Sequence, residues 1–240
     1  MLDHDYPHPP YPYTTEIFHS GNTDSGSHFR GAANNPENMQ SSNLLEQLAD
    51  DFASAVPIVD SEANHDRWQA GIGPFEEERQ VKMIQDTIEK DTPYSIQREK
   101  PYPDRRQQCD LFVGTDETQI PIEAKLLRFR YDNSNIDPNS FAKVFSPFPE
   151  RRTSTLLTDA RNLHEAGFER NGGLLGLYYE PKDESYEQMS AEAVAEKFCL
   201  DIEYWYDFSV DIVSVAHFEG LRHPIHQRGA IVIWEIESGK

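Results

Sequence analysis

Apolar and polar positions alternate with several different periods along the chain. Over residues 43–55, NLLEQLADDFASA, Leu44, Leu45, Leu48, Phe52 and Ala55 recur at helical spacing, and Pro57 is expected to end that helix. Residues 60–73 read as a polar connection in which Trp68 anchors on the main core. A second helix is predicted over 74–91, PFEEERQVKMIQDTIEKD, with Pro74 in its first turn and Val81, Ile84 and Ile88 facing inward. YSIQREK (94–100) alternates as a strand and is closed by Pro101-Tyr102-Pro103. Residues 109–129, CDLFVGTDETQIPIEAKLLRF, read as two strands joined by the polar turn Gly114-Thr115-Asp116-Glu117-Thr118. Residues 130–150 are expected to be a loop, and 152–167 an amphipathic helix burying Leu156, Leu157, Ala160 and Leu163. Thr153 or Ser154 caps that helix and Gly167 stops it. GLLGLYYE (173–180) is apolar throughout and predicts a strand buried on both faces. Beyond it come a helix over 189–199 capped by Ser190, an extended aromatic run DIEYWYDF, and strands over 211–218 and 229–237. Residues 1–42 show no period and are read as a disordered or partner-binding tail.

The 109–129 hairpin carries charge where it should be apolar. Side chains alternate along a strand, so Glu123 and Lys125 share one face. Asp110 begins the neighbouring strand and can come alongside. Two carboxylates and an ammonium thereby meet at one place. Hard divalent cations take a few carboxylate oxygens and keep several waters. A cation so held acidifies a water and offsets charge on a phosphate in transit. The plainer alternative is a surface ion pair between Glu123 and Lys125, with Asp110 capping a turn. One helical turn before Val81, Glu77 falls on the inward arc of the 74–91 helix, while Glu76 and Glu78 point to either side.

Asp110, then Glu123-Ala124-Lys125 in a strand 13 residues later, resembles the signature of the PD-(D/E)xK nuclease superfamily. Cys109 stands where the family's proline precedes the first aspartate; a literal Pro103-Asp104 lies instead in a loop-like run. Gly73 and Glu77 match the G-x-x-x-E spacing of the resolvase branch. The resemblance implies an α/β fold with a restriction-endonuclease-like αβββαβ core over 74–180. A mixed central sheet would be flanked by helices, with an extra N-terminal helix and C-terminal strands completing a domain over 43–240. It implies a Mg2+-dependent DNA endonuclease of restriction or defence type, Mn2+ substituting. Asp110, Glu123, the carbonyl of Ala124 and Glu77 would hold metal, and Lys125 would position or activate the water. Its alternative is a non-catalytic subunit of the same fold binding a basic protein partner. A homodimer is compatible with either.

A net charge of −20 opposes DNA binding, because affinity for a polyanion comes largely from Lys and Arg. The deficit is uneven. From Arg98 to Arg170 there are 12 of the 22 basic residues and 12 of the 42 acidic ones, so the imbalance falls wholly outside the motif-bearing segment. Arg105, Arg106, Arg128, Arg130, Arg151 and Arg152 are the expected nucleic-acid contacts. No run of about eighteen apolar residues predicts a membrane span. Two cysteines, Cys109 and Cys199, make no disulfide framework, and a cytoplasmic location is expected.

Overall fold

The computed structural model describes residues 36–115, 118–131, 133–149, 154–180 and 189–239. The expected tail over 1–42 lies outside them up to residue 35. Six strands form one mixed sheet in the order β1-β2-β3-β4-β6-β5. β1 (Ser95–Pro101), β2 (Gln108–Gly114) and β3 (Gln119–Leu127) form an antiparallel meander. β4 (Gly172–Tyr179) runs parallel to β3. β6 (Arg228–Ile236) is antiparallel to β4, and β5 (Val210–Glu219) pairs with β6 at the far edge. β4 is buried along its whole length, as its unbroken apolar run requires.

Helices cover both faces. α1 (Pro36–Glu62) and α2 (Glu77–Ile88) bury Leu45, Leu48, Phe52, Val56, Val81 and Ile84 against Ile122, Leu175, Leu177, Ile231 and Ile233. On the other face, α4 (Leu156–Glu165) and α5 (Ala191–Tyr206) bury Leu156, Leu163, Phe198 and Ile202 against Leu127, Leu174, Tyr178 and Trp234. Each fully buried large side chain contributes about 1.5–3 kcal/mol, so this two-sided core holds the sheet rigid beneath whatever sits at its edge.

Several elements depart from the sequence pattern. α1 starts at Pro36, before the expected 43, and runs through Pro57 to Glu62. Ala53, Val56 and Val59 are all buried on its inner face, and that packing outweighs the helix hydrogen bond Pro57 cannot make. Trp68 is 56% exposed and anchors nothing; Ile72 and Phe75 are buried in that connection instead. α2 begins at Glu77 rather than Pro74, with Glu76 as an N-cap that makes no side-chain cap bond. The expected loop contains α3 (Pro138–Phe145), where Asp137 accepts from the Asn139 amide and Phe141 and Phe145 stack on Phe129. α4 is capped by Thr155, not Thr153 or Ser154, through a reciprocal capping box with Thr158. The aromatic run after residue 200 is the last part of α5, ended by Asp207 in the left-handed region.

Candidate functional site

The site forms where two strands part. Pairing of β2 with β3 stops at Leu111 and Ile122, while β3 stays paired with β4 on to Leu127, and β2 stays paired with β1 at Cys109 and Gln108. Amides of β3 on the β2 side therefore lack ladder partners, and buried amides must find others. Two carboxylates supply them. The Ala124 amide donates to Asp110 Oδ2 at 2.8 Å, and the Leu126 amide donates to Glu77 Oε2 at 2.6 Å. The fork thus draws Asp110 from β2 and Glu77 from α2 onto the same edge of β3.

The start of α2 is braced to deliver Glu77. Arg128 Nη1 donates to the Gly73 carbonyl at 2.5 Å. Gln80 Nε2 donates to the Phe75 carbonyl at 2.6 Å, and the Tyr179 hydroxyl donates to Gln80 Oε1 at 2.7 Å. The buried, stacked rings of His223 and His226 close over Gly73, where an added Cβ would lie 3.6 Å from His223 Cγ. Burial there holds His226 neutral, its pKa lowered to about 3.

Glu123 is 9% exposed and accepts a hydrogen bond from the Tyr102 hydroxyl. Burial raises its pKa well above the usual carboxylate range. The charges of Asp110 and Asp159 and hydrogen bonding with Asp110 push it the same way, and the Tyr102 bond works against them. Glu77 is also raised, chiefly by burial, although Lys125 and the Leu126 amide pull it down. Lys125 lies between two carboxylates: its Nζ is 3.0 Å from Asp159 Oδ2 and 3.7 Å from Glu77 Oε1, with the Ser154 hydroxyl at 3.3 Å. Burial opposes its charge, but Asp159, Glu77 and Asp110 more than offset this, and its pKa is raised. Lys125 is therefore an ammonium, not a free base, in this arrangement.

Asp110, Glu123, Lys125 and Glu77 thus share one site. Asp159, Tyr102 and Ser154 join them without having been anticipated. Asp159 was legible: it lies three residues after Leu156 and four before Leu163, on the buried stripe of α4. A recess of about 50 Å³ opens beside the fork, lined by Glu77, Glu78, Val81, Arg98, Asp110, Leu111 and Ala124.

Three of the arginines expected to contact DNA bond to neighbouring groups of the chain. Arg128 is spent on Gly73, and Arg130 donates to the Ser134 carbonyl. Arg105 is held by Asp104 and by Asn162 Oδ1 at 3.0 Å. Arg106 is exposed in the same β1–β2 loop. Arg151 and Arg152 lie outside the described residues.

The donor set suits a hard cation. The carboxylates supply only oxygen, and Asp110, Glu77 and Glu123 each give one oxygen to a protein donor and have a second. Among the described residues no three His, Cys, Asp or Glu side chains are gathered as a ready-made cage. Binding would then need backbone oxygen and water to complete the shell, the usual mode for Mg2+. A cation would also relieve the crowding that raises the pKa values of Glu123 and Glu77.

No family model, curated protein or solved structure gives a significant match to the chain. No helix among the described residues is long and apolar enough to cross a membrane.

Proposed function

We propose that this protein is a Mg2+-dependent DNA endonuclease with a restriction-endonuclease-like core, acting in restriction or defence. The observation that carries the reading is the meeting of Asp110, Glu123 and Lys125 at the β2–β3 fork, joined by Glu77 from the preceding helix. The helix–strand–strand–strand–helix–strand order from α2 to β4, interrupted only by α3, supports the same core. So does the antiparallel meander followed by a parallel β3–β4 pair.

Asp110 and Glu123 would hold the ion, with the Ala124 carbonyl and Glu77 as further donors. When bound, Mg2+ acidifies a water and offsets the charge that builds on the phosphate. Tyr102 keeps the Glu123 carboxylate oriented. The ammonium of Lys125 faces the same space and can donate to the attacking water or to a phosphate oxygen. Arg106 and the neighbouring loop would steady the strand through its phosphates.

Ser154, 3.3 Å from Lys125 Nζ, raises the question of a serine–lysine hydrolase. That chemistry needs a neutral lysine to take the serine proton. Asp159 and Glu77 hold Lys125 charged, so the dyad is not favoured. A non-catalytic subunit binding a basic partner is the second reading. It is favoured by Leu200, Tyr204 and Trp205, exposed by 66%, 79% and 43% on α5 in an acidic stretch.

Supercoiled plasmid and Mg2+ or Mn2+ with purified protein test the reading. Metal-dependent nicking is expected in the wild type and its loss in both Asp110→Ala and Lys125→Ala. Equal nicking in all three proteins would rule the reading out. No nicking with any divalent cation, together with a tightly co-purifying basic protein, would favour the second.

A further inference from the structure

Lys125 has a long, flexible side chain and two carboxylates in reach, so something must decide where its ammonium rests. The closer partner is not Glu77, at 3.7 Å, but Asp159, at 3.0 Å, on the far side of the sheet. The side chain of Asp159 is 5% exposed, against 37% for Glu77. A carboxylate that deep is costly unless a cation answers it.

The placement of Asp159 is itself well fixed. The Thr155–Thr158 capping box sets the first turn of α4, and Asp159 is the next residue along the chain. Leu156, Ala160 and Leu163 beside it are packed into the core, which prevents the helix from rotating. Ser154 Oγ lies 3.3 Å from Asp159 Oδ2 and 3.3 Å from Lys125 Nζ, bridging the pair. α4 thus presents one rigid acidic hook to one flexible cation.

We infer that Asp159 is a positioning residue that holds the Lys125 ammonium at the β2–β3 fork beside Asp110, Glu77 and Glu123. The inference rests on the nuclease reading for its consequence, but the tether itself is a property of the folded chain. Without Asp159, Lys125 retains its reach but swings toward Glu77 and solvent. Asp159 does not touch substrate; it acts through Lys125.

The test uses the full chain and the variants Asp159→Asn, Asp159→Ala, Lys125→Ala and the Asp159→Ala/Lys125→Ala double variant. Reductive methylation read by mass spectrometry reports each amine separately, with exposed Lys82 as the internal standard. Lys125 is expected to react slowly in the wild type and faster in both Asp159 variants, while Lys82 is unchanged. In cleavage of a DNA duplex, kcat falls about 10-fold to 100-fold in both Asp159 variants with KM unchanged, the usual effect of removing an orienting partner. The double variant is no slower than Lys125→Ala, because Asp159 then has nothing to position. Asp159→Asn keeps the shape and one acceptor, so its melting point shows whether a loss reflects unfolding. Wild-type kcat in both folded Asp159 variants, alongside a dead Lys125→Ala, overturns the inference alone. Unchanged Lys125 labelling in both also overturns it. Absence of cleavage by the wild type overturns the nuclease reading, and the Lys125 labelling contrast then decides the tether alone.

Discussion

Glu123 sits in an unfavourable electrostatic position at the fork. Burial raises its pKa, and Asp110 and Asp159 add to the shift. A carboxyl whose folded pKa exceeds its unfolded value keeps its proton in the native state after the unfolded chain has lost it. Its contribution is therefore most favourable below the unfolded value and is lost as pH rises from there through the folded value. Each unit of separation is worth about 1.4 kcal/mol. In metal-free buffer Glu123→Gln should raise the melting temperature, and by more near about pH 8 than near about pH 5. Added Mg2+ should raise the wild-type melting temperature at the higher pH and leave the variant nearly unmoved. A variant less stable than wild type at every pH would show that the carboxylate is not strained. At this scale the sequence was informative about the hairpin, because the strand period alone puts Glu123 and Lys125 on one face with Asp110 alongside. Asp159 shares a stripe with Leu156 and Leu163, yet no apolar signal marks it. The helical period gives the face on which Asp159 lies but not its partner, which comes from β3. Tyr102 stands in a strand-closing Pro-Tyr-Pro, and nothing local in the sequence ties its hydroxyl to Glu123.

Elements were legible where period and packing agreed and obscure where tertiary contacts overrode local chemistry. The meander and β4 follow their patterns closely, and α2 and α4 do so apart from their first turns. α1 does not, because Pro57 is a strong local stop yet the helix continues for five residues past it. The proline removes the bond to the Ala53 carbonyl and crowds it, which costs about 3 kcal/mol in a helix interior. Burial of Val56 and Val59 on one core compensates. Pro57→Ala should therefore stabilise the protein by about 1–3 kcal/mol, read as a higher denaturant midpoint with an unchanged slope. A fall in midpoint would mean that the proline relieves a bend the packing needs. α3 is obscure for the reverse reason: eight residues with Asn, Ser and Pro carry little helical signal, and the stacking of Phe141 and Phe145 on Phe129 stabilises the turn. The far end of α5 reads as strand by its aromatics, but Ile202 is fully buried as part of a helix face and Trp205 is not.

For the molecule as a whole, charge sets two responses to salt with opposite signs. The net charge is −20, and neither face of the sheet escapes it. α1 holds no Lys or Arg, and α5 holds only Lys197, so both covering layers are acidic. Like charges on both faces of one sheet repel, and ions screen that repulsion over about 10 Å at 0.1 M salt. The melting temperature should therefore rise with NaCl. Exposed pairs such as Lys82–Asp86 and Lys197–Asp201 weaken with salt, but such pairs are worth only about 0.3–0.5 kcal/mol each and cannot reverse the trend. DNA cleavage at limiting enzyme should move the other way, because phosphate contacts release counterions and lose affinity steeply between about 50 mM and 200 mM salt. Measuring both on one preparation separates folding from binding: a protein that becomes more stable yet cuts less as salt increases is losing DNA, not structure. Cleavage indifferent to salt would mean that no basic surface meets the backbone, and the acidic faces would then have to be explained by a partner that carries the opposite charge.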